Sequence, residues 1–130
     1  MKVLLDTHFL IWLFTDTTKI ESEIFEILKN PKNEIYYSQA SIWEISIKYS
    51  LKKLELSGGT PEKLYKEIMH SFLKCKFFDN NELSTFYKLP KEHKDPFDRI
   101  MVWQAINSQM YFLTRDGKAS AYEKYGLKIL

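Results

Sequence analysis

Asp95 and Asp98 stand three apart in the stretch His93-Lys94-Asp95-Pro96-Phe97-Asp98-Arg99, just ahead of a helical pattern. A helix start needs one acid: Asp95 suits the N-cap, and Pro96 suits the first helical position, where its missing N–H costs nothing. Asp98 is then either a partner of the helix dipole or part of a larger group of acids. Three further carboxylates qualify for such a group. Asp6 and Asp116 each follow a short apolar run, and Glu44 lies within a helical stretch that is apolar on nearly every side. If Asp6, Glu44, Asp98 and Asp116 converge, their repulsion raises their pKa values and destabilises the fold unless a cation intervenes. Hard oxygen donors without a cysteine or histidine cluster favour Mg²⁺, with Mn²⁺ able to substitute, over zinc. A divalent ion held this way, its shell completed by a substrate phosphate, suits in-line attack of water on a phosphodiester. That is nuclease chemistry.

Each acid also has a purely structural reading. Asp6 and Asp116 are good helix N-caps, and Glu44 can pair with Lys48 four residues on. The enclosed setting of Glu44 argues for more, because a buried carboxylate requires a partner.

The elements that position these acids follow from hydrophobic period and punctuation. Lys2–Leu5 is continuously apolar after its first residue, as expected of a strand buried on both faces. Helices are predicted from just after Asp6 to Phe14 and from Lys19 to Lys29, the latter stopped by Asn30-Pro31. Glu34–Ser38 is a second strand and Gln39–Leu54 a long helix. The turn Ser57-Gly58-Gly59-Thr60-Pro61 introduces a helix to Leu73, followed by a strand at Lys76–Phe78 and a helix over Asn80–Leu89. The helix that begins at Pro96 runs to Gln109, Tyr111–Thr114 is a strand, and a short helix reaches Lys124. Gly126 stops that helix, and Leu127–Leu130 closes the chain as a last strand. Strands alternating with helices predict an α/β fold with a mostly parallel sheet, in which ligands bind where the strands' carboxyl ends meet their loops.

With 130 residues, 45 % of them hydrophobic and 28 % charged, the chain is expected to form a single domain over residues 1–130. A formal charge of +2 does not by itself announce a nucleic-acid binder, so any such reading rests on local clustering. Lys94, Arg99 and Arg115, with Lys88, Lys91 and Lys118, cluster near the acids in sequence and could hold a nucleic-acid backbone. His93 is read as orienting substrate or a neighbouring carboxylate. Trp12 and Trp43 could be core residues or stacking platforms. The lone Cys75 excludes an intramolecular disulfide and suits a cytoplasmic setting. No stretch reaches the roughly 20 apolar residues of a membrane span, and Asp6 and His8 interrupt the N-terminal apolar run that could pass for a signal peptide.

Four segments, Leu4-Leu5-Asp6-Thr7-His8, Ser41-Ile42-Trp43-Glu44-Ile45, His93 to Arg99, and Leu113-Thr114-Arg115-Asp116, together resemble the PIN-domain ribonucleases, specifically the VapC-type toxins of bacterial toxin–antitoxin pairs. The resemblance spans essentially the whole chain in order. It implies a three-layer α/β/α sandwich and Mg²⁺- or Mn²⁺-dependent endonucleolytic cleavage of RNA. It also implies a homodimer and a cognate antitoxin protein. Carried onto this sequence, the family's acidic set falls on Asp6, Glu44, Asp98 and Asp116, with Thr114, Thr7 and Asp95 in support. Two other readings remain open. One is a non-catalytic interaction module in which the acids are caps. The other is a metal-dependent phosphatase; a haloacid-dehalogenase-like one would need a second Asp where His8 stands.

Overall fold

A computed structural model describes residues 1–130. Five strands, β1 (Lys2–Leu5), β2 (Glu34–Ser38), β3 (Lys74–Lys76), β4 (Tyr111–Leu113) and β5 (Lys128–Ile129), form one sheet in the order β3-β2-β1-β4-β5. Every strand pairing is parallel. The central strand is the most apolar because both its faces are covered: Val3, Leu4 and Leu5 are each fully buried.

Alternation along β1 divides the core in two. Val3 and Leu5 face one cluster with Phe9 and Leu10 of α1 (Thr7–Thr15), Leu28 of α2 (Ser22–Lys29), and Leu64 and Ile68 of α4 (Pro61–Met69). Leu4 faces the other, with Met101, Val102 and Ala105 of α6 (Pro96–Ser108) and Tyr122 of a 3₁₀ segment, Gly117–Tyr125. The α3 helix (Gln39–Ser50) sends Ile45 to the first cluster and Ala40 to the second. The result is the three-layer α/β/α arrangement, its sheet wholly parallel where mostly parallel was expected.

Several boundaries differ from the sequence reading. The third strand falls at Lys74–Lys76, not Lys76–Phe78, because its partner β2 ends at Ser38. Beyond that point Phe78 N–H donates to the Gln39 side chain at 2.7 Å instead of to a strand. The Gln39 helix stops at Ser50, and Lys52 takes a left-handed conformation with φ of 56°. Lys19 belongs to a 3₁₀ turn, Thr17–Lys19, ahead of α2. The Pro61 helix ends at Met69, and α5 (Asn80–Thr85) is continued by a 3₁₀ turn at Phe86–Lys88. The last two strands are shorter than expected, and the segment between them is 3₁₀, not α. No helix is long and apolar enough to cross a membrane.

Candidate active site

After β3 the chain crosses β1 to the other half of the sheet, so the loops leaving β1 and β4 diverge beside one another. Asp6 N–H donates to Leu113 O at 3.0 Å, which ties the two strand ends together. Asp6 caps α1, accepting from Phe9 N–H at 2.9 Å, and is only 4 % exposed. Burial lifts its carboxyl above the usual range; the Phe9 N–H and the nearby Thr114 hydroxyl pull the other way, while the charge of Glu44 adds to the rise. Thr114 in turn accepts the backbone N–H of Asp116 at 3.0 Å, and Asp116 caps the 3₁₀ segment by accepting from Lys118 N–H at 2.9 Å.

Asp98 projects from the first turn of α6, which Asp95 and Pro96 start as predicted. Burial, then the charges of Asp95 and Glu44, push the Asp98 carboxyl up to about 7. Between Asp98 and Asp116 lies His93, 7 % exposed. Its Nδ1 accepts the Asp95 N–H at 3.0 Å, so the ring proton of the neutral imidazole sits on Nε2 and is donated to Asp116 Oδ2 at 2.6 Å. Asp98 Oδ2 is 3.3 Å from the same nitrogen. His93 is thus hydrogen-bonded to a neighbouring carboxylate. One donor atom from each of His93, Asp98 and Asp116 lies within 4.8 Å of the others. In this tautomer both imidazole nitrogens are engaged, so the carboxylates are the groups suited to a hard cation.

Glu44 is enclosed, as its apolar helix implied, and the Lys48 pair is formed as well: Oε2 accepts from the Lys48 ammonium and Oε1 from the Thr7 hydroxyl at 2.5 Å. Partial burial pulls the Lys48 ammonium down, yet the Glu44 hydrogen bond and the charges of Glu44, Asp95 and Asp98 hold it above its ordinary value.

The basic residues divide. Lys94 is exposed and without an ion-pair partner. Arg99 donates to Leu89 O at 3.0 Å and lies over the Phe86 ring at 4.7 Å, while Arg115 donates to Lys19 O and stacks on Trp12 at 4.9 Å. These arginines fasten neighbouring segments in this structure. Trp12 is part of that packing, whereas Trp43 is 58 % exposed and meets the Phe97 ring edge-on at 5.3 Å. Sequence reasoning missed Ser41, 2.9 Å from the Thr7 hydroxyl, and Tyr122, whose buried hydroxyl accepts the N–H groups of Glu92 and His93 at 3.0 and 2.9 Å. Neither contact leaves a local sequence signal.

A parallel α/β sheet at whose switch point Asp98 and Asp116 meet on His93, with the buried Asp6 and Glu44 near enough for their charges to act on Asp98, defines the class: an α/β protein with an acidic centre. The PIN-domain family model matches residues 3–125, and the chain belongs to that family. No curated protein sequence gives a significant match. Among solved structures, VapBC2 from Rickettsia felis bound to a promoter DNA fragment is similar at TM-score 0.69 and 18 % identity, over 100 % of this chain and 98 % of that one. VapBC-1 from nontypeable Haemophilus influenzae is similar at 0.69 and 17 %, covering 100 % and 97 %. DNA-bound VapBC from Salmonella typhimurium is similar at 0.68 and 19 %, with the same coverage. At these identities the likeness is one of fold.

Proposed function

We propose that the chain is a Mg²⁺-dependent endoribonuclease, with Mn²⁺ able to substitute, acting as the toxin of a toxin–antitoxin pair. Its partners on this reading are an RNA substrate, a cognate antitoxin and a second copy of itself. The observation that carries the chemistry is the approach of Asp98 and Asp116 to a shared imidazole, with the charges of the buried Asp6 and Glu44 acting on Asp98. Helix capping accounts for Asp6, Asp95 and Asp116. It does not account for an acid in the first turn of α6 whose carboxyl is raised to about 7 by burial and by the charges of Asp95 and Glu44. Membership of the PIN family and likeness to toxin–antitoxin structures support the biological assignment.

In this mechanism Asp6, Glu44, Asp98 and Asp116 make up the acidic centre, and a divalent cation would be held by the carboxylate oxygens that Thr7 and Lys48 leave free. When bound, such a cation supplies the charge that stabilises in-line displacement at phosphorus. His93 keeps Asp116 turned toward the centre, and Thr7 and Thr114 hold Glu44 and Asp116 in place. Lys94, exposed and unpaired, would provide the positive contact for an RNA backbone, while Arg99 and Arg115 are taken up in packing neighbouring segments. The test is incubation of purified, antitoxin-free protein with RNA and Mg²⁺ or Mn²⁺, beside EDTA and an Asp6→Asn variant. Cleavage is expected only in the metal-supplemented wild type; cleavage that persists in EDTA or in the variant sinks the assignment.

A further inference from the structure

Glu44 is the least exposed acid of the set at 2 %, and neither of its oxygens is free. The Thr7 proton goes to Glu44, so in the 2.9 Å contact between the Thr7 and Ser41 hydroxyls Ser41 is the donor. A relay of donors therefore runs from Ser41 through Thr7 to one oxygen, and the Lys48 ammonium closes on the other. Asp98 is treated differently. The one side chain within hydrogen-bonding range of its carboxylate is His93 at 3.3 Å, through a nitrogen already held 2.6 Å from Asp116. Within this centre the charge of Glu44 is balanced by the chain itself, and that of Asp98 is not.

We propose that Lys48 is the resident cation of the carboxylate centre, taking at Glu44 the place of a second divalent ion and offering its remaining N–H donors to a substrate phosphate. The phosphate role rests on the nuclease reading of the same site; the ion count does not. Lys48 stands in the last turn of α3, where the helix dipole favours a cation, and its side chain is 35 % exposed. An ammonium has three donors, and the protein engages one of them. Lys48 lines a hollow of about 300 Å³ with Thr7, His8, Glu44, Lys53 and Leu54. Lys53 also lines the hollow, and its backbone N–H donates to Lys48 O at 2.9 Å. Glu44 is on this view a positioning residue for Lys48, which is the group that meets the phosphate.

Calorimetric titration of metal-free protein with Mn²⁺, with bound ions counted by paramagnetic resonance, tests the inference. One ion per wild-type chain is expected, and two overturn it without any variant. Lys48→Met is expected to bind a second ion, to melt lower than wild type when metal-free, and to raise the KM for RNA about tenfold through loss of one charge-assisted contact. Lys48→Gln answers the same question should the methionine variant fail to fold. A count of one in a folded variant overturns the inference. If the counts are as expected while RNA stays uncut by wild type, the nuclease reading fails and the role of Lys48 as resident cation stands.

Discussion

Asp95 caps the turn that carries Asp98: Asp95 Oδ1 accepts the Asp98 N–H at 3.4 Å and that of Phe97 at 2.8 Å. The two acids of the HKDPFDR stretch therefore do different work, one fixing where α6 begins and the other projecting from that start. Asp95→Ala is expected to lower stability by about 1 kcal/mol, the usual cost of losing an N-cap, and to keep part of the RNA cleavage. Asp98→Asn is expected to abolish cleavage while raising the melting temperature of the metal-free protein, since it deletes a destabilising charge. Denaturant and thermal melts beside a cleavage assay check both, and the reverse order would show the roles to be exchanged.

The same acid sets a pH dependence. Asp98 is raised to about 7 by burial and then by Asp95 and Glu44, against an unfolded value of about 3.9. A carboxyl raised on folding favours the folded state most at low pH, and that advantage is lost as pH climbs from the unfolded value to the folded one. Asp116 works in the opposite sense. Burial pushes it up, but the His93 hydrogen bond and the Lys118 N–H outweigh burial, so its contribution is lost only as pH falls through the carboxylate range. If Asp98 is a metal ligand, as proposed, Mn²⁺ must displace its proton, so the rise in Tm on adding Mn²⁺ is expected to be larger near pH 8 than near pH 5. Thermal melts at both pH values check this; equal shifts would rule out Asp98 as a ligand.

Lys94 and Arg99 were read alike from sequence and are placed differently. Lys94 is exposed and unpaired, so on the proposed reading Lys94→Ala is expected to weaken RNA binding across sequences and reduce the salt slope by about 0.7, the value for one phosphate contact on a single strand. Arg99→Ala removes the donor to Leu89 O and the cover of Phe86, so it is expected to cost stability and leave the slope unchanged. Fluorescence anisotropy over a salt series, with a catalytically silent Asp6→Asn background, separates the two.

What the sequence revealed here was local. The apolar run of β1, the Asp6 and Asp95 caps, the Pro96 start and the Glu44–Lys48 spacing all depend on neighbours within four residues, and all are present in the fold. The strand order, which puts Asp6 beside Leu113, was legible only as a class of topology. Contacts between distant segments were not legible at all. The Thr7–Ser41 pair spans 34 residues and the His93–Tyr122 contact spans 29, and serine and tyrosine at those positions are ordinary surface and core choices. Arg99 and Arg115 show the converse: a basic residue beside an acid in sequence turned to a carbonyl and an aromatic ring once the chain was folded.

Asp6, Asp95 and Asp116 each accept backbone N–H groups at the start of a helical segment. Asparagine does that job about as well as aspartate. A chain carrying Asn at position 6 or 116 would keep its helix starts while giving up a charge at the centre. Such a copy would keep the fold and the outer surface of the original, so on the proposed reading it would draw off the same antitoxin and leave more of the active form free. A gene of this kind therefore stands one codon change from a silent copy that competes for its own inhibitor.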